Sequence, residues 1–198
     1  MRGRFITFEG PEGSGKSSHT ALLASYLESH GISVVLVREP GGTPVGEAIR
    51  KILQHGEGCE KMVNEAELLL FEASRAQLVR SVIVPSLKKG KWVISDRFMD
   101  STTVYQGYGR GIDMKKISIL NDFATNGLVP DITILLDISV KETFRRLRKR
   151  NVGECLRKDR IENETRKFHE KIRKGYLELA KRNSGRIVLI NASGSLEE

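Results

Sequence analysis

Long hydrophobic runs are missing from this 198-residue chain, and no apolar stretch approaches the length that crosses a bilayer. No secretory leader is expected either, because the N-terminus enters a strand directly and meets Glu9 at its end. Cysteine is scarce. Cys59 and Cys155 form no CxxC pair and have no histidine at metal-binding spacing. That excludes a disulfide framework and a zinc knuckle, and it points to the reducing cytoplasm. Repeats and low-complexity tracts are absent. No Asn/Thr-Lys-x-Asp motif follows any strand, so nothing marks a guanine-specific switch.

What is present is ordinary for a globular domain: 39% hydrophobic and 29% charged residues. The length suits one domain over 1–198, with a small lid. The net charge of +8 is uneven, because Lys141 through Arg182 holds 16 Lys/Arg against 7 Asp/Glu. That stretch offers only Phe144, Phe168 and Tyr176 between its cations. A nucleic-acid groove is therefore the weaker reading, and a basic lid over a polyphosphate plus a solvated helix face is the stronger one.

The most specific segment is Gly10-Pro11-Glu12-Gly13-Ser14-Gly15-Lys16-Ser17, followed by Ser18. It fits GxxxxGK[ST] and directly follows the apolar run Phe5–Phe8, the strand-to-helix setting of a phosphate-binding P-loop. The glycines let backbone N–H groups approach phosphate oxygens, and the helix that starts at Lys16 adds its positive end. Lys16 reaches the β- and γ-phosphates, and Ser17 offers a hydroxyl to Mg²⁺. The chain is therefore expected to bind a nucleoside triphosphate. Glu12 is a carboxylate inside a loop built for anions, so something other than phosphate is expected beside it.

Strands and helices alternate along the chain. Strands are expected at 4–8, 33–37, 92–95, 132–136 and 186–190. Helices are expected at Lys16–Ser29, at 44–53 behind a Thr43 cap, and at 64–89 behind an Asn64–Glu67 capping box, with a kink at Pro85. Others are expected at 113–125, from a Ser139–Glu142 capping box toward Arg150, and at 160–182. Residues 55–60 and 151–158 read as loops. The sum is an α/β P-loop NTPase fold, a five-stranded parallel sheet with helices on both faces and a basic lid at about 145–160.

Ligands of such sheets sit beyond the carboxyl ends of the strands. Those ends carry Glu9, Arg38-Glu39, Asp96-Arg97 and Asp137. Two arginines beside the P-loop imply a second phosphate-bearing ligand, since guanidinium forks onto phosphate. Plainer alternatives are ion pairs of Arg38 with Glu39 and of Arg97 with Asp96. Asp96 either holds Mg²⁺ through water or orients Arg97. Asp137 reads as a strand-end cap and stays outside the expected site.

With these residues in place, the chain resembles the bacterial thymidylate kinase family along nearly its whole length. The resemblance rests on the P-loop segment 8–17 and on Arg38-Glu-Pro-Gly-Gly-Thr43, its most specific signature. Leu69–Ala76, Asp96-Arg-Phe98, Ser101–Gly107, Pro130–Asp137 and Asp159-Arg-Ile-Glu162 follow in order. It implies transfer of the ATP γ-phosphate to dTMP with Mg²⁺, in a cytoplasmic homodimer, with neither nucleic acid nor membrane as partner. By the same resemblance Phe71 stacks on thymine, Arg75 and Thr102 read the base, and Tyr105 packs by the sugar. Arg38 and Arg97 hold the acceptor phosphate, and Glu12 faces the acceptor's sugar and 3′-hydroxyl. Members with an acidic P-loop residue take their catalytic arginine from the lid, which makes Arg150 the first choice and Arg148 the second. The plainer alternatives are a core phenylalanine at Phe71, which follows Leu68, Leu69 and Leu70, and a core tyrosine with a satisfied hydroxyl at Tyr105. Rival readings are a P-loop kinase for another nucleotide or metabolite, and a nucleic-acid-binding ATPase.

Overall fold

The computed structural model describes residues 3–55, 62–153, 160–161 and 164–194. Of the expected loop at 55–60, His55 is helical and 56–60 lie outside them, as do Cys59, Cys155, residues 154–159, Glu162 and the terminal 195–198. Five strands form one parallel sheet: β1 (Phe5–Glu9), β2 (Val34–Arg38), β3 (Trp92–Asp96), β4 (Ile132–Asp137) and β5 (Ile187–Asn191). Their spatial order is β2-β3-β1-β4-β5. Each differs from its expected bounds by about one residue.

The alternation of side chains along the strands sorts the core into two faces. Phe8, Ile94 and Leu136 pack with Ala24 and Leu27 of α1 (Lys16–Ser29). On the other face Phe5 and Val93 meet Leu78, Val79, Ile83 and Leu87. Leu135 and Ile187 on that face meet Phe168, Ile172 and Tyr176 of α8 (Arg166–Arg182). Among the described residues, no helix is long and apolar enough to cross a membrane.

Helix α2 (Pro44–His55) starts as expected, with Gly46 N donating to Thr43 Oγ1 at 2.9 Å. The expected single helix over 64–89 is three segments: α3 (Asn64–Leu78), a π turn (Val79–Ile83) and α4 (Val84–Lys88). Pro85 lacks the N–H that an uninterrupted ladder would use, and the wider π turn directly before it absorbs that defect. The capping box at Asn64 does not form. Val63 is the cap residue, and Glu67 is drawn away to Gln106, Arg110 and Arg160.

After β3 come α5 (Met99–Thr102), a second π segment (Thr103–Gly109) and α6 (Met114–Thr125). Helix α7 (Val140–Gly153) runs three residues into the expected loop. Glu142 N donates to Ser139 Oγ at 3.2 Å, while the Glu142 carboxylate serves Arg145 and Arg146 instead of closing the box. Helix α8 begins six residues later than expected, because the Thr165 hydroxyl accepts from Phe168 N and sets the start. The sheet order puts β1 and β3 side by side at the centre, so the P-loop and the Asp96–Arg97 turn emerge together.

Candidate active site

The P-loop leaves β1 at Gly10, whose φ is +139°. A Cβ there would stand 2.4 Å from the Leu136 carbonyl oxygen, so only glycine lets the loop pass β4. Lys16 Nζ folds back onto the loop and donates to Pro11 O at 2.8 Å and Gly10 O at 3.1 Å. Burial pushes its ammonium down to about 8, and Arg97 adds to the shift against Asp96, Glu12 and Glu9. Ser17 Oγ donates to Asp96 Oδ2 at 2.6 Å. The two residues expected at a metal are thus adjacent, one hydroxyl and one carboxylate, both hard oxygen donors of the kind Mg²⁺ takes. Among the described residues no three His, Cys, Asp or Glu side chains gather as a metal cage. This fits an ion held chiefly by nucleotide phosphates and water.

Arg97 follows β3 with φ +72°, a left-handed conformation uncommon for a long side chain. Its N–H donates to Phe8 O at 2.9 Å, and Ser95 Oγ donates to its carbonyl at 2.6 Å, so neighbours on both sides fix the turn. The guanidinium reaches Glu12 Oε1 at 2.8 Å, Ser101 Oγ at 3.1 Å and Gly10 O at 3.2 Å. It also lies over the Tyr105 ring at 5.1 Å. Its ion pair is therefore with Glu12 and not with Asp96. Tyr105 donates its hydroxyl to the Glu12 carboxylate at 2.7 and 2.8 Å. Burial alone would raise the Glu12 acid, but Arg97, Lys16 and Tyr105 together hold it below its ordinary range.

Glu9, given no role above, sits fully buried behind this group. It accepts from Phe98 N, Ser101 Oγ and Tyr176 OH, at 2.8, 2.6 and 2.9 Å. Burial and the Asp100 charge raise its acid. It ties the end of β1 to the segment after β3.

Arg38 is half exposed and pairs with Glu47 at 3.0 Å, not with Glu39. Arg75, expected to read the base, is held in a buried polar network. It is 1% exposed and donates to Glu39, Glu72, Thr102, Asn121 and the Phe98 carbonyl. Burial raises Glu39 to about 7 even against Arg75, with Glu72 contributing to the rise. Thr102, also buried, reaches the site through its contact with Arg75 at 2.9 Å.

One cavity of about 460 Å³ brings most of these together. Glu12, Gly13, Gly15, Lys16, Ser17 and Ser18 line one end. Arg38, Phe71, Arg75, Asp96, Arg97, Thr102 and Tyr105 line the rest. Gly10, Pro11 and Ser14 belong to the same loop but not to the cavity wall. Arg148 faces elsewhere, into a separate cleft with Lys141, Phe144, Arg145 and Arg166. The Arg150 side chain lies outside the described residues.

Arg146 was missed. It donates to Gly13 O at 3.2 Å, Ala192 O at 2.8 Å and Gly194 O at 3.0 Å, and it lines the cavity. Its spacing from Arg150 was the available signal, since four residues on a helix is one turn.

The thymidylate kinase family model matches residues 8–198. A thymidylate kinase of Kosmotoga olearia is 48% identical over 98% of this chain and 90% of its own length. One from a Nostoc species is 48% identical over 100% of this chain and 92% of its own. A crystal structure of thymidylate kinase from Ehrlichia chaffeensis superposes with a TM-score of 0.77 at 37% identity, covering 98% of this chain and 95% of that one. These matches run over nearly the whole chain, P-loop and strand-end arginines included: the chain belongs to the thymidylate kinase family.

Proposed function

We propose that this enzyme transfers the γ-phosphoryl group of ATP to dTMP, giving dTDP and ADP. The observation that carries the reading is the single cavity with the P-loop at one end and Arg38, Arg97, Phe71 and Tyr105 along the rest. A donor polyphosphate on the loop and an acceptor phosphate on the arginines would meet in that space.

The acceptor needs no general base. A phosphate monoester has its second pKa near about 6, so it is already a dianionic nucleophile at neutral pH. What remains is to bring two polyanions together and to stabilise charge on the moving group. Lys16 would leave the loop carbonyls for the β- and γ-phosphates. Arg97 and Arg38 would hold the acceptor phosphate, leaving Glu12 and Tyr105 beside the sugar. Phe71 supplies a flat apolar face for the base, and Arg75 and Thr102 stand behind it as a fixed polar pair. Ser17 and Asp96 would hold Mg²⁺, which supplies charge neutralisation between donor phosphates when bound.

The lid arginine is Arg150 in this reading. Position 150 follows Arg146 by one helical turn, and Arg146 already touches the P-loop. Arg148 is the weaker choice, because it lines the other cleft. A homodimer is part of the proposal. Exposed Ile52 of α2, Leu69 of α3, and Ile119 and Phe123 of α6 give these neighbouring helices apolar outer faces. The setting is the cytoplasm, with ATP and dTMP as partners.

The test is ADP release from Mg·ATP with dTMP, UMP, CMP or AMP as acceptor. Turnover should depend on dTMP and be much weaker with the others. A chain without dTMP-dependent turnover would not be this enzyme.

A further inference from the structure

His169 of α8 is 1% exposed, and neither of its ring nitrogens has a hydrogen-bond partner. A buried, unpaired N–H opposes folding, so its retention calls for a use. Its ring is wedged edge-on between Phe144, at 5.2 Å between centroids, and Phe168, at 5.9 Å. That packing fixes its direction. Nδ1 faces the P-loop and stops 3.9 Å from Glu12 Oε2. A shift of about 1 Å would make this a hydrogen bond.

Glu12 now leans the other way, onto Arg97 and Tyr105. Arg97 cannot serve Glu12 and an arriving phosphate equally, because both want the same fork of N–H groups. When the phosphate takes it, Glu12 loses the cation it is hydrogen-bonded to in a buried setting, which is costly without a replacement donor. Tyr105 supplies one. The unpaired Nδ1 of His169, 3.9 Å from Glu12 Oε2, is a further donor within reach.

We propose that His169 is a positioning residue for Glu12. It becomes the carboxylate's hydrogen-bond partner when the acceptor phosphate draws Arg97 away, and so keeps Glu12 against the acceptor. The inference rests on the kinase reading given above, in which Arg97 holds that phosphate. No step of the chemistry passes through His169 itself.

The experiment has two arms. In wild-type protein labelled with ¹⁵N-histidine, dTMP is titrated and the ring nitrogens are followed. The chain has 4 histidines, so the His169→Gln spectrum assigns the signal. Saturation with dTMP should move the Nδ1 resonance to a hydrogen-bonded position and slow exchange of its proton. In the second arm, His169→Phe keeps an aromatic ring of similar size without a donor, and His169→Gln restores an N–H. The phenylalanine variant should raise the dTMP KM roughly tenfold and leave the ATP KM within about twofold, as removal of one positioned donor predicts. The glutamine variant should recover most of the loss. In a Glu12→Gln background, His169→Phe should change little further.

An unmoved Nδ1 resonance in an enzyme that turns over dTMP overturns the inference alone. Equal losses for dTMP and ATP, or the same loss with Glu12→Gln present, overturn it too. Absence of dTMP turnover in the wild type removes the kinase reading and this inference with it.

Discussion

Arg97 Nη2 donates to Glu12 Oε1 at 2.8 Å, so the guanidinium proposed for the acceptor phosphate is held on an internal carboxylate. On the proposed reading the acceptor phosphate would displace that carboxylate. The pair therefore trades some affinity for selectivity: a neutral ligand cannot replace Glu12, and a dianion with a planar fork to match can. Arg97→Lys keeps the charge and loses the fork. Its kcat/KM for dTMP should fall roughly 100-fold, the scale of one lost transition-state donor, with the ATP affinity within about threefold. Steady-state kinetics with each substrate varied separates the two. An equal fall in ATP affinity would mean that Arg97 chiefly shapes the P-loop through its contact with Gly10 O.

Lys16 gives a pH signature. Its buried ammonium titrates at about 8 in the empty loop, below the ordinary 10.5. Bound phosphates favour the charged form, so the bound value lies higher. Mg·ATP affinity should be flat below pH 8 and fall above it, by at most about tenfold per pH unit. Calorimetry from pH 7 to 9.5 measures this. The sign for folding is the reverse. A lysine lowered in the fold carries its full destabilisation below 8, and that penalty is relieved between 8 and 10.5. The nucleotide-free enzyme should gain stability over the window in which it loses ATP. Lys16→Met should abolish both trends.

The P-loop, its helix and all five strands were legible because each depends on a local signal. Glycine spacing, β-branched runs and the N-cap at Thr43 act within a few residues. Arg97 and Arg38 were legible through topology, since a parallel sheet makes every strand end a site position. The π turn before Pro85 was not, because it adds its extra residue within five residues, too short a stretch to change the apolar pattern of the helix around it. The burial of Arg75 was not legible for a different reason. A buried arginine is stable only with its carboxylates, and Glu39 comes from another strand end. Sequence spacing cannot show that pairing. Arg146 and His169 were missed because each is one cation or ring in a run of similar residues, and only packing against the P-loop marks them.

The lid arginines separate by position. Arg146 contacts Gly13 O and Ala192 O, so Arg146→Ala should raise the ATP KM roughly tenfold and leave the dTMP KM nearly unchanged. Arg150→Ala should lower kcat at least about 30-fold with small changes in either KM, as loss of a charge felt mainly in the transition state does. Arg148→Ala should stay within about twofold of wild type throughout, because it lines the other cleft. If Arg148→Ala were the variant with the kcat defect, the α7 register would be wrong as a guide to the lid.

Glu39 links the acceptor end of the cavity to pH. It shares Arg75 with Glu72, so one guanidinium faces two buried carboxylates, and Glu39 Oε1 and Glu72 Oε2 are left without hydrogen-bond partners. A proton on Glu39 relieves that excess of negative charge, and burial raises its acid from an ordinary 4.5 to about 7. The folded state therefore binds this proton more tightly than the unfolded chain. The stabilisation is complete below 4.5 and is lost as pH rises through 7. Glu39→Gln mimics the protonated acid at every pH. Between pH 4.5 and 7.5 the melting temperature of wild type should fall relative to that of the variant by at least about 3 °C, a shift that roughly 1 kcal/mol produces in a chain of this size. Thermal melts of both proteins across that window decide it. Parallel curves would mean that Arg75 keeps Glu39 ionised throughout.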